Sequence, residues 1–180
     1  MINRHQLGQF LRADVNRLRL PEQSGDAGLG AWLSPRFLPV LMIRLARYCY
    51  LSPLLKPVSG LLTWINTLVF GIEFTARCEV GPGLMLPHTF GTVIGARKIG
   101  ANATIFQGVT LGAKFADLAY DPATRPVVGN DVILGAGAKV LGGVQLGDNV
   151  TVAANSLVTE NVPSNCFVIG VPGVQSEKHK

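Results

Sequence analysis

The chain has 180 residues, enough for one domain or for a solenoid with a small appendage. Only 15% of them are charged and 48% are hydrophobic, below the roughly 25% charge of ordinary soluble domains, so much of the surface is expected to be covered, most simply by another copy. The net charge of +5 comes mostly from the first half with no basic run interleaved with aromatics, which argues against nucleic acid and leaves open a phosphate-bearing ligand or an anionic membrane.

From His5 to Leu20, Leu7, Phe10, Leu11, Val15 and Leu18 recur at spacings of three and four with charges between them, which predicts an amphipathic helix. The same stretch has no continuous apolar run and no small-residue cleavage site, so no secretory signal is expected. Pro21 to Gly30 is a turn-rich break. A second helix is expected from about Pro35, with Phe37, Leu38, Leu41, Leu45 and Tyr48 at helical spacing and Arg44 and Arg47 on its flank; Pro53 and Pro57 stop or redirect it. Leu61 to Phe70 fits a third helix ending near Gly71, and the apolar stretch Leu61 to Ile72 is shorter than the about 20 residues of a membrane span. Residues 1–71 thus read as a helical cap over strand edges at one end of the rest of the chain. Its apolar faces with basic flanks suit a contact between copies first and peripheral membrane docking second. The protein is expected in the cytoplasm, with a position at the inner face of the membrane as the variant.

Residues 72–162 change character. Val128, Leu134, Val140, Leu146, Val152 and Val158 stand six apart, and four places after each come Val132, Ala138, Val144, Val150, Ser156 and Val162. A period of six fits neither an amphipathic helix nor an alternating strand. Gly, Ala, Asp or Asn fills most intervening sites, the residues that turn a chain most cheaply. The pattern is that of a parallel β-helix of very short strands, aliphatic residues pointing inward and three hexapeptides closing a turn. The beat starts earlier, at Phe74, Val80 and Leu86 and again at Val93, Ile99, Ile105 and Leu111, with one slip between Pro87 and Thr92 that puts His88 on a surface irregularity. Residues 113–125, with Asp117, Tyr120, Asp121 and Pro122, drop the beat and form an extruded loop. Asp14, Asp117 and Asp121 are expected on solvated surfaces. Residues 163–180 are an exit segment and a frayed tail.

The three cysteines, Cys49, Cys78 and Cys166, are far apart and outside any CxxC pattern, and read as buried small apolar residues. His5 and His179 lie near the ends, so His88 is the one histidine of the repeat region. A three-histidine metal site cannot be assembled from one chain, and no metal is expected. Histidine is the side chain best matched to general-base work near neutral pH.

Gly71-Ile72-Glu73, Gly83-Leu84-Met85-Leu86-Pro87-His88, Gln107-Gly108-Val109-Thr110-Leu111-Gly112, Gly135-Ala136-Gly137-Ala138-Lys139-Val140-Leu141-Gly142 and Gly170-Val171-Pro172 together resemble the serine acetyltransferase group of hexapeptide-repeat acyltransferases, with the nearest likeness to relatives that acetylate exopolysaccharide or colanic-acid-type sugars. The resemblance implies a left-handed β-helix, a homotrimer and acetyl-CoA as donor of an acetyl group to a hydroxyl. His88 matches the family's general base and Glu73 the acid that orients it. Gly112, Ala136 and Ala154 match positions where backbone approaches the pantetheine arm, Thr159 lies near the nucleotide end, and Lys139 is placed to meet a phosphate.

The chain departs from the serine enzymes in having Pro87 before His88 where they have aspartate, and Arg125-Pro126 where they have a second histidine before proline. Arg125 offers a planar fork of donors to a carboxylate, a diphosphate or a sugar hydroxyl. Three functions are compatible with these residues: acetyl transfer to a small-molecule or lipid-linked sugar of a surface polysaccharide, serine O-acetylation, or a trimeric scaffold in which His88 has no chemical role.

Overall fold

The computed structural model describes residues 4–18, 29–115 and 119–178. The break from Pro21, Asp117 in the loop, and the final His179 and Lys180 lie outside the described residues.

From Ile72 onward the chain coils through three parallel sheets of two- to four-residue strands. The first sheet stacks Ile72–Phe74, Thr92–Ile94, Thr110–Gly112, Lys139–Leu141 and Leu157–Val158. The second stacks Glu79–Val80, Lys98–Ile99, Val127–Val128 and Gln145–Leu146. The third stacks Thr104–Ile105, Ile133–Leu134, Thr151–Val152 and Cys166–Ile169. Leu134 pairs with Val152 and Val140 with Val158, one turn of three hexapeptides further on. All twelve residues of the later sixfold series are buried, Ser156 included. Each large aliphatic side chain so enclosed contributes about 1.5–3 kcal/mol relative to leaving it in water, and the stack fills the column from end to end.

Two details differ from the sixfold count. Val93 is expected inside, but the register sets it beside outward Glu73, and Ile94, paired with Phe74 and Leu111, is the buried residue. Eight positions separate Leu86 from Ile94 and five separate Ile94 from Ile99, so the loop at His88 takes up two extra residues and the next corner returns one. The coil also continues past Val162. Cys166–Ile169 completes a further pass, and Val174–Glu177, expected to fray from Gln175 on, folds back antiparallel along it. That return strand occupies an edge that would otherwise stay open.

Among the described residues four helices close the other end: α1, Arg4–Asn16; α2, Leu29–Trp32; α3, Leu38–Tyr50; and α4, Lys56–Phe70. Pro57, expected to stop a helix, instead sits in the first turn of α4, where its missing N–H is no loss. Gly71 ends α4 with φ 68° and starts the first strand. Asp14, expected on a solvated surface, is 1% exposed, and Arg44, expected on a flank, is 4% exposed. Arg44 donates from Nε to Asp14 Oδ2 at 2.7 Å and from Nη2 to Oδ1 at 2.9 Å. It also donates to the carbonyls of Val80 at 2.5 Å and Gly81 at 2.6 Å, while Asp14 accepts from the Leu84 N–H at 2.8 Å. One ion pair therefore ties α1 and α3 to the first coil. The helical spacing hides it because Asp14 lies beside Val15 on the face that packs inward.

Asp14→Ala leaves a guanidinium buried without its counter-charge, and urea unfolding should show a loss of about 3–5 kcal/mol; a loss under about 1 kcal/mol would contradict the role given to this pair. Burial pushes the Cys78 thiol up to about 12 against the pull of Arg47, so at pH 8 it holds almost no thiolate. In a Cys49→Ser/Cys166→Ser variant, a disulfide reagent at pH 8 should leave the folded protein untouched and modify it on unfolding.

Candidate functional site

The residues singled out in sequence converge on one of the three faces. In the first sheet Glu73, Val93, Thr110, Lys139 and Leu157 form the outward row, each paired in register with the next. The strands are two or three residues long, about 10 Å across at most. His88, Ala136 and Ala154 belong to the corner by which the chain enters this sheet, and Gly112 and Arg125 to the corner by which it leaves. Thr159 directly follows the sheet's last strand.

The entry corner is a column of small residues. Asn155 donates from its backbone N–H to the Ala136 carbonyl at 2.8 Å, Gly137 to the Gln107 carbonyl at 2.8 Å, and Gly108 to the Phe90 carbonyl at 3.0 Å. The column ends under the loop that bears His88. That loop is fastened to the start of the Glu73 strand, since Gly91 donates to the Gly71 carbonyl at 3.0 Å and the Phe90 ring lies against Gly71. His88 is exposed in a groove of about 480 Å³ with Arg36, Leu86, Phe90 and Gln107. The carboxamide oxygen of Gln107 is buried and meets no hydrogen-bond donor among the described residues.

Lys139 is held inside this corner. Its ammonium donates to the carbonyls of Gly108 at 2.8 Å and Gly137 at 2.7 Å, bracing two successive turns. It would have to leave these carbonyls to meet a phosphate. The space beside Gly112 is open, and a methyl group placed there would touch nothing within 4 Å. Ala136 is half-buried and Ala154 exposed. The small residues at the entry corner, Gly108, Ala136, Gly137 and Ala154, thus leave room for a narrow extended chain close to backbone.

Glu73 and His88 line different grooves of the single chain. Glu73 shares a second groove of about 480 Å³ with Tyr50, Lys56, Tyr120 and Arg125. Sequence reasoning passed over Tyr120, naming it only as part of the loop. Two guanidinium groups lie over its ring, Arg125 at 4.8 Å and Arg77 at 5.1 Å, and its hydroxyl donates to the Ala96 carbonyl at 3.2 Å. Burial pushes its phenol above the ordinary range, while the two guanidiniums pull the other way, so it stays protonated at neutral pH. Tyr120 adopts φ 53°, uncommon for a non-glycine residue. A tyrosine in an irregular insertion that ends at Arg125 was the available signal, but Arg77 lies far from it in sequence. Asp121, expected on a solvated surface, is exposed and turns the loop by accepting from the Ala123 N–H at 2.9 Å. Among the described residues no three His, Cys, Asp or Glu side chains stand close enough to hold a metal ion.

Residues 125–160 match the family model of the bacterial transferase hexapeptide (six repeats). A serine acetyltransferase of Synechococcus elongatus is 38% identical over 140 residues, covering 77% of this chain and 56% of that protein. One from Staphylococcus aureus is 41% identical over 110 residues, covering 61% and 50%. The chain therefore spans about half the length of these relatives. The crystal structure of serine acetyltransferase from Brucella abortus in complex with coenzyme A superposes with a TM-score of 0.84 at 28% identity, covering 98% of this chain and 70% of that one. The mainly β architecture of parallel sheets and hexapeptide repeats is the one these enzymes share.

Tyr120→Leu removes the ring under Arg77 and Arg125. At about 0.5–1 kcal/mol per contact, cleavage of the 113–125 loop in limited proteolysis should become roughly five- to thirtyfold faster with the circular dichroism unchanged. An unchanged cleavage rate would show that the ring does not hold the loop.

Proposed function

From a chain that carries the transferase hexapeptide repeat and has serine acetyltransferases among its homologues, we propose an acetyl-CoA-dependent O-acetyltransferase that acts on a hydroxyl without a covalent acyl-enzyme. The observation that carries this reading is the gathering of His88, Glu73, Arg125 and the small-residue column around one sheet face.

In this reading the imidazole of His88 takes the proton from the acceptor hydroxyl as that oxygen attacks the thioester carbonyl. Glu73 orients the imidazole and stabilises the imidazolium that forms, as a carboxylate on one ring nitrogen does. The pantetheine arm lies along Ala136 and Ala154, Gly112 gives room at the other edge of the sheet, Thr159 stands toward the nucleotide, and Lys139 meets a phosphate there once it leaves the carbonyls of Gly108 and Gly137. The donor's carbonyl takes on negative charge as the oxygen attacks, and a backbone N–H or polar side chain beside it is needed to stabilise that charge. The thiolate leaves with the proton that His88 has taken. The working unit is a homotrimer, because a neighbour laid along the first sheet would join the shallow grooves of His88 and Glu73 into one cleft.

The serine acetyltransferase homologues favour L-serine as acceptor. A second reading, a sugar hydroxyl of a surface-polysaccharide precursor, is favoured by Pro87 and Arg125 at the two departures from the serine enzymes' pattern and by Tyr50 and Tyr120 in the Glu73 groove. Aromatic side chains and a guanidinium in one groove fit a pyranose ring and its hydroxyls.

Thioester cleavage in the presence of L-serine or of activated sugars separates the two, and saturable turnover of L-serine sinks the sugar reading. His88→Ala should lower kcat by roughly 10²–10⁴-fold with the assembly intact, and Glu73→Gln should cost less. An unchanged kcat in His88→Ala would leave only the scaffold reading.

A further inference from the structure

Helix α4 has an outward face that no other part of the described chain covers. Its fifteen residues include one charge, Lys56 at the first position. Ser59 and Asn66 are buried, and Leu62 and Phe70 pack on the core. On the opposite side Val58, Leu61, Trp64, Leu68 and Val69 are 43–63% exposed, and they fall on one continuous arc of the helix. Leu54, 87% exposed, extends the strip by a turn. The strip is about 20 Å long at the helical rise. A surface helix of a soluble domain ordinarily turns a polar stripe outward, and a continuous apolar one marks a docking surface.

Shape and charge select the occupant. The strip is the convex back of a single helix, and none of its side chains lines the grooves of His88 or Glu73. Protein partners concentrate their affinity in pockets bordered by hydrogen-bonding groups, and this row offers one polar group, the indole N–H of Trp64. Along one flank the helix presents Ser59, Gly60 and Thr63 to the groove that holds Lys56, Arg125 and the Glu73 carboxylate, with the Arg77 guanidinium over the Tyr120 ring, so cations outnumber the acid there. An apolar row with an indole near its middle and cations along its border complements a bilayer whose headgroups carry negative charge. At fifteen residues α4 is too short and too amphipathic in its packing to cross one.

We propose that α4 docks the protein on an anionic membrane surface, with Trp64 and Leu68 at the acyl boundary and Lys56 at the headgroups. The groove of Glu73 then opens beside the membrane, where a lipid-borne acceptor would arrive. The proposal rests on the placement of α4 alone and stands whether or not the acyl-transfer reading does.

The test is sedimentation of the full chain with vesicles of phosphatidylcholine alone or with roughly a third phosphatidylglycerol, read together with tryptophan emission. Wild type should bind the anionic vesicles, shift its emission to the blue and release at high salt. Trp64→Ser/Leu68→Ser should bind more than about thirtyfold more weakly while keeping its circular dichroism and its acetyl transfer to a soluble acceptor. Lys56→Gln should weaken binding to the anionic vesicles only. Absence of wild-type binding, or equal binding by the double variant, overturns the proposal. So does a fall in assembly mass of the double variant by light scattering with vesicle binding unchanged, which would give the face to a second copy.

Discussion

A chain that must turn a corner every six residues, always in the same sense, needs a residue with positive φ at fixed places, and this requirement shapes everything from Ile72 onward. At one corner the positions are filled in successive coils by Gly83, Asn102, Asp131, Asn149 and Asn165, all with φ between 55° and 78°. Left-handed backbone costs an ordinary L-residue roughly 1–2 kcal/mol, and glycine, asparagine and aspartate bear it best. The side chains turn the constraint into a contact: Asn102 donates to Asp131 at 3.1 Å and Asn149 to Asn165 at 2.9 Å. Gly83 starts the column because a Cβ there would run into the Asn102 amide oxygen. Turn residues and inward aliphatics are thus two halves of one repeat, and neither is free to shift without the other.

The entry corner of the first sheet uses glycine instead, at Gly91, Gly108 and Gly137, and gives way to Asn155 only near the end. This is the corner where Lys139 spans two carbonyls from within. The regular coil is interrupted twice, at the loop of His88 and in residues 113–125, and the two interruptions sit at opposite edges of that same sheet. A rigid ladder with irregular segments at its two margins is a common way to hold reactive groups on a stable frame. The helical cap completes the frame. The Asp14 and Arg44 pair reaches across to the carbonyls of Val80 and Gly81, which a strand edge would otherwise leave to water.

The repeat was legible because its period is imposed by sterics at every coil, so Val128 to Val162 declared both strands and corners. The slip at His88 was legible as a slip, but its division into two residues gained and one returned depends on how the loop seats on Gly71, which periodicity does not encode. Asp14 could not be read as buried, since a lone carboxylate on a helix pattern looks solvated until its arginine, thirty positions away, is placed. Tyr120 was hidden for the same reason: its two guanidinium partners come from separate coils. The family resemblance was read on motif residues and leaned toward sugar acceptors, whereas the relatives that match are serine acetyltransferases; Pro87 and Arg125, the two departures it leaned on, are single side chains that a repeat does not constrain.

The central claim is that the small-residue corner under the His88 loop seats the donor. A crystal structure of the chain with coenzyme A tests it most directly. The account predicts the pantetheine arm along Ala136 and Ala154 with its sulfur within reach of the His88 imidazole. Coenzyme A seated on another face, such as the polar groove of Asn130, Asp148 and Ser164 on the second sheet, would contradict it.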